Sequence, residues 1–182
     1  MSVLFETGRL IVRELVAGDV DAMVAIFGDR QVAHWLGDGQ PLDRLDCRDW
    51  ITRSRRNYRE RGYGVSAVVR RDDGAMIGCC GIIHADGGPG AEIIYALRRD
   101  CWGQGYGREM VEAMLDYGVG HCDLPVIYAT IDPENAASQR ILERAGMVWL
   151  HTGPDEEGLP TATWRLERMA RSSTAGNRPR SA

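Results

Sequence analysis

The chain has 182 residues, 44% hydrophobic and 26% charged, with a mean hydropathy of −0.29, the composition of one globular domain rather than a disordered or fibrous segment. All 22 basic residues are arginines, which excludes a P-loop lysine, a Schiff-base lysine and a kinase-type phosphate lysine. The net charge of −4 speaks against a nucleic-acid partner, and no apolar run reaches the roughly 18 residues of a membrane span.

Near the start, Glu6, Arg9 and Arg13 interrupt the apolar residues as no secretory leader tolerates, so a cytoplasmic location is expected. Leu10-Ile11-Val12 reads as the first strand. Asp19 or Asp21 caps a helix through Ala22, Met23, Ala25, Ile26 and Phe27. A second helix spans residues 42–61, with Cys47, Ile51 and Tyr58 near helical spacing and Gly62 as its stop. Its Arg53, Arg55, Arg56, Arg59 and Arg61 read as a solvated face. Residues 63–70 and 76–84 form a hairpin across Asp73-Gly74. The glycine cluster at 87–90 then turns the chain into an apolar strand at 91–97. A helix over 105–117 places Met110, Met114 and Tyr117 on one face, and 125–130 is a compact strand. Asn135 caps a helix in which Ala137, Ile141 and Ala145 recur every four residues, and Gly146 suits its left-handed end. Residues 147–151 and 162–166 pair around the polar loop 153–158. The order β-α-α-β-β-β-α-β-α-β-β predicts a mixed α/β domain on one sheet. The domain covers residues 1–168, followed by a flexible tail at 169–182. Five scattered cysteines with no Cys-x-x-Cys pair read as buried reduced thiols, and no metal is expected.

Two segments carry chemistry. In the first, Tyr95-Ala96-Leu97 runs through Arg98-Arg99-Asp100-Cys101-Trp102 into Gly103-Gln104-Gly105-Tyr106-Gly107-Arg108, a strand followed by three alternate glycines and a helix start. Glycine lets a backbone turn tightly and approach a ligand. The free amides of a helix N-terminus favour an anion, best a phosphate or pyrophosphate. A dinucleotide fingerprint fails, because it needs glycine where this chain has Arg108. In the second segment, Asn135 and Ser138 stand one turn apart at the mouth of a helix. By themselves they read as a cap and a tolerated first-turn serine.

Five elements in order and spacing resemble the GNAT superfamily of N-acetyltransferases, and within it the branch that acetylates ribosomal-protein N-termini. They are Thr7-Gly8-Arg9-Leu10-Ile11-Val12-Arg13, Glu92-Ile93-Ile94-Tyr95, Trp102-Gly103-Gln104-Gly105-Tyr106-Gly107, Asn135-x-x-Ser138 and Arg144-Ala145-Gly146-Met147. The resemblance implies a single-domain acyl-CoA N-acyltransferase fold: a mixed, largely antiparallel sheet, flanked by helices, whose strands 91–97 and 125–130 splay apart. Acetyl-CoA is the implied cosubstrate. Its pantetheine arm would pair with the backbone of Tyr95, Ala96 and Leu97 and touch Asn135. Its pyrophosphate would lie on the amides of Gly103, Gln104, Gly105, Tyr106, Gly107 and Arg108. Two positions depart from the family pattern. Trp102 replaces a Gln or Arg, and Leu142 replaces a tyrosine that protonates the departing thiolate. In the ribosomal-protein branch the serine at the position of Ser138 is the substitute.

Acetyl transfer to an amine needs a base, an oxyanion donor and a hydrogen bond or proton for the thiolate. Glu92, in an apolar strand where burial raises its pKa, is the candidate base, with His84 as the alternative. A backbone amide near residues 95–97 is the oxyanion donor, and Ser138 the thiolate's partner. The acceptor is expected to be a protein or peptide N-terminal α-amine. Alternatives are a small amine (aminoglycoside, polyamine or metabolite) or a silent CoA-binding domain; the acids Asp155, Glu156 and Glu157 read first as a solvated turn and only second as an attraction for a cationic small molecule. Neither nucleic acid nor membrane is an expected partner, and the chain is expected to act as monomer or homodimer.

Overall fold

The computed structural model describes residues 2–84, 90–155 and 158–168. The tail at 169–182, Glu156, Glu157 and most of the 87–90 glycine cluster lie outside the described residues. Those described form one mixed sheet: β1 (Val3–Glu6), β2 (Leu10–Glu14), β3 (Val65–Arg70), β4 (Met76–His84), β5 (Ala91–Leu97), β6 (Val126–Ile131), β7 (Val148–Pro154) and β8 (Pro160–Glu167). Their spatial order is β1-β2-β3-β4-β5-β6-β8-β7. Helices α1 (Val20–Phe27), α2 (Arg30–Ala33) and α3 (Arg44–Arg61) cover one face, and α4 (Tyr106–Gly120) and α5 (Ala136–Arg144) the other.

The helices assemble two apolar layers. Met23, Ile26, Phe27, Cys47 and Ile51 pack on Ala67, Val69 and Cys79. Met110, Met114, Leu115 and Leu142 pack on Leu10, Val12, Ile77, Ile82 and Ile127. Strands β3 and β4 are buried on both faces, so they read as near-continuous apolar runs rather than alternating ones. Four of the cysteines are buried thiols and Cys122 is half-buried, none of them bonded to another.

The expected elements form, with two additions. The first strand is β1, not β2: Val3-Leu4-Phe5 pairs back on residues 11–13 across a turn in which the Thr7 hydroxyl accepts from the Leu10 amide at 2.9 Å. The single-turn α2 is held by Asp29, whose carboxylate accepts from the Gln31 amide at 2.8 Å. It is too short to leave an amphipathic period in the sequence. Helix α3 begins two residues later than expected, at a reciprocal capping box between Asp43 and Asp46, and ends on Gly62 at φ +81°. Its five arginines from Arg53 to Arg61 are exposed, as expected.

Asp19 stands at the start of α1 but does not cap it. Its carboxylate takes two bonds from the Arg13 guanidinium, at 2.7 and 2.8 Å, and one from the Val16 amide at 2.8 Å. Arg13 rises from β2 into the layer between sheet and helix, where a lone charge would be expensive. Burial pushes the Asp19 pKa up, but the Arg13 and Val16 bonds outweigh it and hold the carboxyl below its ordinary value.

Removing one partner of such a buried pair strands the other. Asp19→Ala is therefore expected to lower stability by about 3 kcal/mol at neutral pH. Because the folded pKa is depressed, this contribution is present above the ordinary carboxylate range and is lost as pH falls through the folded value. Urea unfolding curves of wild type and variant should lie far apart at neutral pH and converge in acid.

Candidate active site

Strands β5 and β6 run parallel, joined by α4, and their pairing is confined to Glu92 opposite Tyr128. On its other side β5 is paired with β4 over all seven residues, and β6 is paired with β8 over six. Beyond residue 92, then, β5 and β6 are each tied to an outer neighbour and diverge from one another. This is the expected splay of the strands at 91–97 and 125–130, and it leaves backbone groups on the facing edges of both without a ladder partner.

Glu92 sits at the root of the gap, 8% exposed. Its Oε1 accepts from the Thr130 amide at 3.2 Å and from the Thr130 hydroxyl. The carboxylate thus serves a β6 amide that the divergence has released. Burial raises the Glu92 pKa, with the two Thr130 bonds pulling against it, and the net direction is upward. A carboxylate whose pKa is raised at a cleft is a stronger base than an ordinary carboxylate. Thr130 was not singled out from the sequence. Nothing in the order of residues shows that β6 diverges just where this threonine can reach Glu92.

Along the same face of β5, Ile94 and Ala96 join Phe27, Leu36, Trp50, Val65 and Cys79 around an apolar crevice. His84 lies elsewhere. Its partner across β4 and β5 is Ala91, whereas Glu92 is opposite Ile83. Side chains alternate along a strand, so the imidazole projects from the other face, where its Nε2 bonds the Tyr63 hydroxyl at 2.6 Å.

The glycine turn divides into two functions. Gly103 and Gly105 have φ of +72° and +82°, which glycine alone adopts freely. A β-carbon on Gly107, by contrast, would come 2.9 Å from Ile141 Cδ1, so the third glycine serves the contact of α4 with α5. The amides of Tyr106, Gly107 and Arg108 open α4 and have no acceptor within it. Gln104 donates to the Asp100 carbonyl at 2.6 Å, and Arg108 is engaged along its own helix by Glu112 at 2.7 Å. Trp102 replaces the usual Gln or Arg without disturbing the turn: its Nε1 donates to the Leu97 carbonyl at 2.7 Å. That carbonyl has thereby one partner, with a second lone pair left to accept.

The first hairpin clamps this turn, a role its sequence motif does not announce. Glu109, in the first turn of α4, accepts from the Thr7 hydroxyl at 2.6 Å, the Arg9 amide at 2.9 Å and Arg9 Nε at 2.6 Å. Burial opposes ionisation of Glu109, but these donors hold its pKa below the ordinary value. Arg9 also donates to the Gln104 carbonyl at 2.9 Å and lies 4.3 Å over the Tyr106 ring. A cation is thereby fixed beside the helix N-terminus, and turn and charge together suit a pyrophosphate.

Across the gap, Asn135 caps α5 by accepting from the Ser138 amide at 3.0 Å. Ser138 is half-buried. Leu142, one turn further on the same helical face, is fully buried in the core. Of the acidic loop only Asp155 is among the described residues, and it accepts from the Leu159 amide at 2.8 Å.

An acetyltransferase (GNAT) domain model matches residues 9–148. The chain belongs to the GNAT family of acetyl-CoA-dependent N-acetyltransferases. It is 38% identical over 114 residues to YkkB of Bacillus subtilis, a match covering 60% of this chain and 65% of that protein. It is 30% identical to the N-acetyltransferase p20 of Bacillus licheniformis, covering 75% and 77%. Among solved structures, an acetyltransferase from Agrobacterium tumefaciens superposes with a TM-score of 0.78 at 24% identity, covering 90% of this chain and 94% of that one. RimL, a ribosomal alpha-N-protein acetyltransferase in complex with coenzyme A, superposes at 0.76 with 15% identity, covering 91% and 98%. At these identities the structural matches establish the fold.

Saturating acetyl-CoA, at a hundredfold over Kd, is expected to add about 2.7 kcal/mol of stability, a rise on the order of 5–10 °C in melting temperature for this size. Gly105→Val forces a β-branched residue to φ +82°, and should abolish most of that rise. Thermal shift with and without acetyl-CoA checks both.

Proposed function

We propose that this acetyltransferase acts on the α-amine of a protein or peptide N-terminus, with Glu92 as base. The carrying observation is the buried Glu92 carboxylate at the root of the β5–β6 gap, continuous along its strand face with an apolar crevice. An α-amine has a pKa of about 7.7–8.0, against about 10.4 for a lysine side chain. A base of modest strength therefore suffices for the first. For the second, about 2.5 units of pKa disfavour the neutral amine by roughly 3.5 kcal/mol. The RimL structure, a ribosomal alpha-N-protein acetyltransferase with the same fold, supports the same choice of acceptor.

In this reading the amine approaches from the α1–α3 face and gives its proton to Glu92 as nitrogen attacks the thioester carbonyl. A β5 amide freed by the splay donates to the developing oxyanion. The electron pair of the breaking C–S bond leaves on sulfur, which accepts a hydrogen bond from the Ser138 hydroxyl. Asn135 touches the pantetheine arm, and Gly103, Gln104 and Gly105 with the first amides of α4 hold the pyrophosphate. Arg9 adds a neighbouring positive charge.

Matched peptides, one with a free N-terminus and blocked lysine and one the reverse, test the acceptor. Faster acetylation of the lysine peptide overturns the reading, and inertness of both while a polyamine or aminoglycoside turns over transfers it to small amines. Glu92→Gln retains an oxygen that can accept both Thr130 bonds but cannot take a proton, so turnover at neutral pH should fall by at least about 10²-fold with acetyl-CoA affinity intact. Stability should move the other way. A raised folded pKa means that ionised Glu92 destabilises the fold as pH rises above the ordinary carboxylate value. The variant should therefore melt higher than wild type at neutral pH and no higher in acid.

A further inference from the structure

The two oxygens of the Glu92 carboxylate are not equivalent. Oε1 accepts both bonds that Thr130 offers, one from its amide at 3.2 Å and one from its hydroxyl. Oε2 makes no hydrogen bond among the described residues. Buried polar atoms are nearly always partnered, but Oε2 is not one of the side-chain atoms sealed in the interior without a partner. It therefore opens on accessible space at the root of the β5–β6 gap. Glu92 lies opposite Ile83 of β4 and Tyr128 of β6. From α1 and α3, Phe27 and Trp50 bring aromatic rings to the same face. Cys79, opposite Ala96 on that face of β4, is a thiol whose pKa burial pushes well up, so it stays neutral. Burial raises the Glu92 pKa and the two Thr130 bonds lower it, and no charged side chain among the described residues acts on it.

We propose that Thr130 is a positioning residue for the base: by holding Oε1 with its amide and hydroxyl, it turns Oε2 toward the amine and makes that oxygen the receiver of the proton. The assignment rests on Glu92 being the base, as proposed above. A protonated carboxyl carries its hydrogen on one oxygen and keeps the other as an acceptor. With Oε1 engaged twice, the acceptor is already chosen. As the nitrogen attacks the thioester carbonyl, an N–H bond breaks and its proton goes to Oε2. The N–C bond forms, and the electron pair of the breaking C–S bond leaves on sulfur. Thr130 keeps its own proton, and Oε1 still accepts both bonds in the neutral acid. The carboxyl thus changes protonation state without rearranging its hydrogen bonds, so no reorganisation is added to the step. Oε2 afterwards returns the proton to solvent through the gap. The same two donors favour the charged form, so the carboxyl stays ionised to lower pH than burial alone would allow.

Thr130→Val exchanges the hydroxyl for a methyl group and keeps the amide, whereas Thr130→Ser keeps the hydroxyl. The acetyl-CoA thermal shift, read first, shows that each variant is folded and holds the cosubstrate. In Thr130→Val the acid limb of the pH profile of kcat/KM should move to higher pH by about one unit, because a donor to the charged form is gone. Single-turnover acetyl transfer on the plateau above that limb should fall about tenfold, because Oε2 is no longer held toward the amine. Thr130→Ser should restore both. In a Glu92→Gln background Thr130→Val should cost nothing further, since the threonine acts through the carboxylate. A wild-type plateau rate in Thr130→Val overturns the proposal, whether or not the limb moves. So does a Thr130→Ser variant as slow as Thr130→Val, or losses that multiply in the double variant. If Thr130→Val does not fold, Thr130→Ala against Thr130→Ser carries the same expectations. If Glu92→Gln itself turns over at the wild-type rate, the reading of Glu92 as base fails and the proposal falls with it. If Glu92→Gln is slow and Thr130→Val is not, only the role of Thr130 is lost.

Discussion

Everything at the site depends on one register fact, the confinement of the β5–β6 pairing to Glu92 and Tyr128. Here β4 holds β5 along its whole length and β8 holds β6, so the gap between β5 and β6 is framed on both sides by intact ladders. Backbone amides and carbonyls in the interior are ordinarily consumed by the ladder. The divergence spares a few of them, and the spared groups are what an extended ligand arm can pair with. It also creates the niche for a buried carboxylate, since the Thr130 amide needs an acceptor and Glu92 provides it.

The same economy governs the turn that follows β5. Gly103 and Gly105 carry positive φ, and the start of α4 turns its free amides outward. Such a turn would be mobile if left to itself. The N-terminal hairpin fixes it through Glu109, which collects donors from Thr7 and Arg9. Arg9 thereby acts on two length scales, as a structural link to the turn and as a positive charge beside a proposed anion site. Trp102 anchors the other end of the loop at the Leu97 carbonyl. The indole is thus built into the turn as part of its hydrogen bonding.

The two faces of β5 have separate chemistries because side chains alternate along a strand. Glu92, Ile94 and Ala96 face the α1–α3 layer, where the proposed amine enters. Tyr95 faces the opposite layer, built on α4 and α5. His84 belongs to the face away from Glu92 and is committed to Tyr63, which removes it as the alternative base on geometric grounds.

By itself the sequence determined the element types, the glycine turn before α4, the Asn135 cap and the membership of Glu92 in an apolar strand. These are consequences of local chemistry: side-chain periodicity, cap residues, and the φ values that only glycine tolerates. It did not reveal β1, whose few apolar residues become a strand only by pairing with β2, nor α2, which is one turn long. The resemblance brought in the splay, but not its partners. That Asp19 neutralises Arg13 instead of capping α1, and that Thr130 meets Glu92, were decided by tertiary structure alone. Each is a contact between residues brought together by strand order and sheet divergence. The energy of such a contact depends on burial, which no local run of residues encodes.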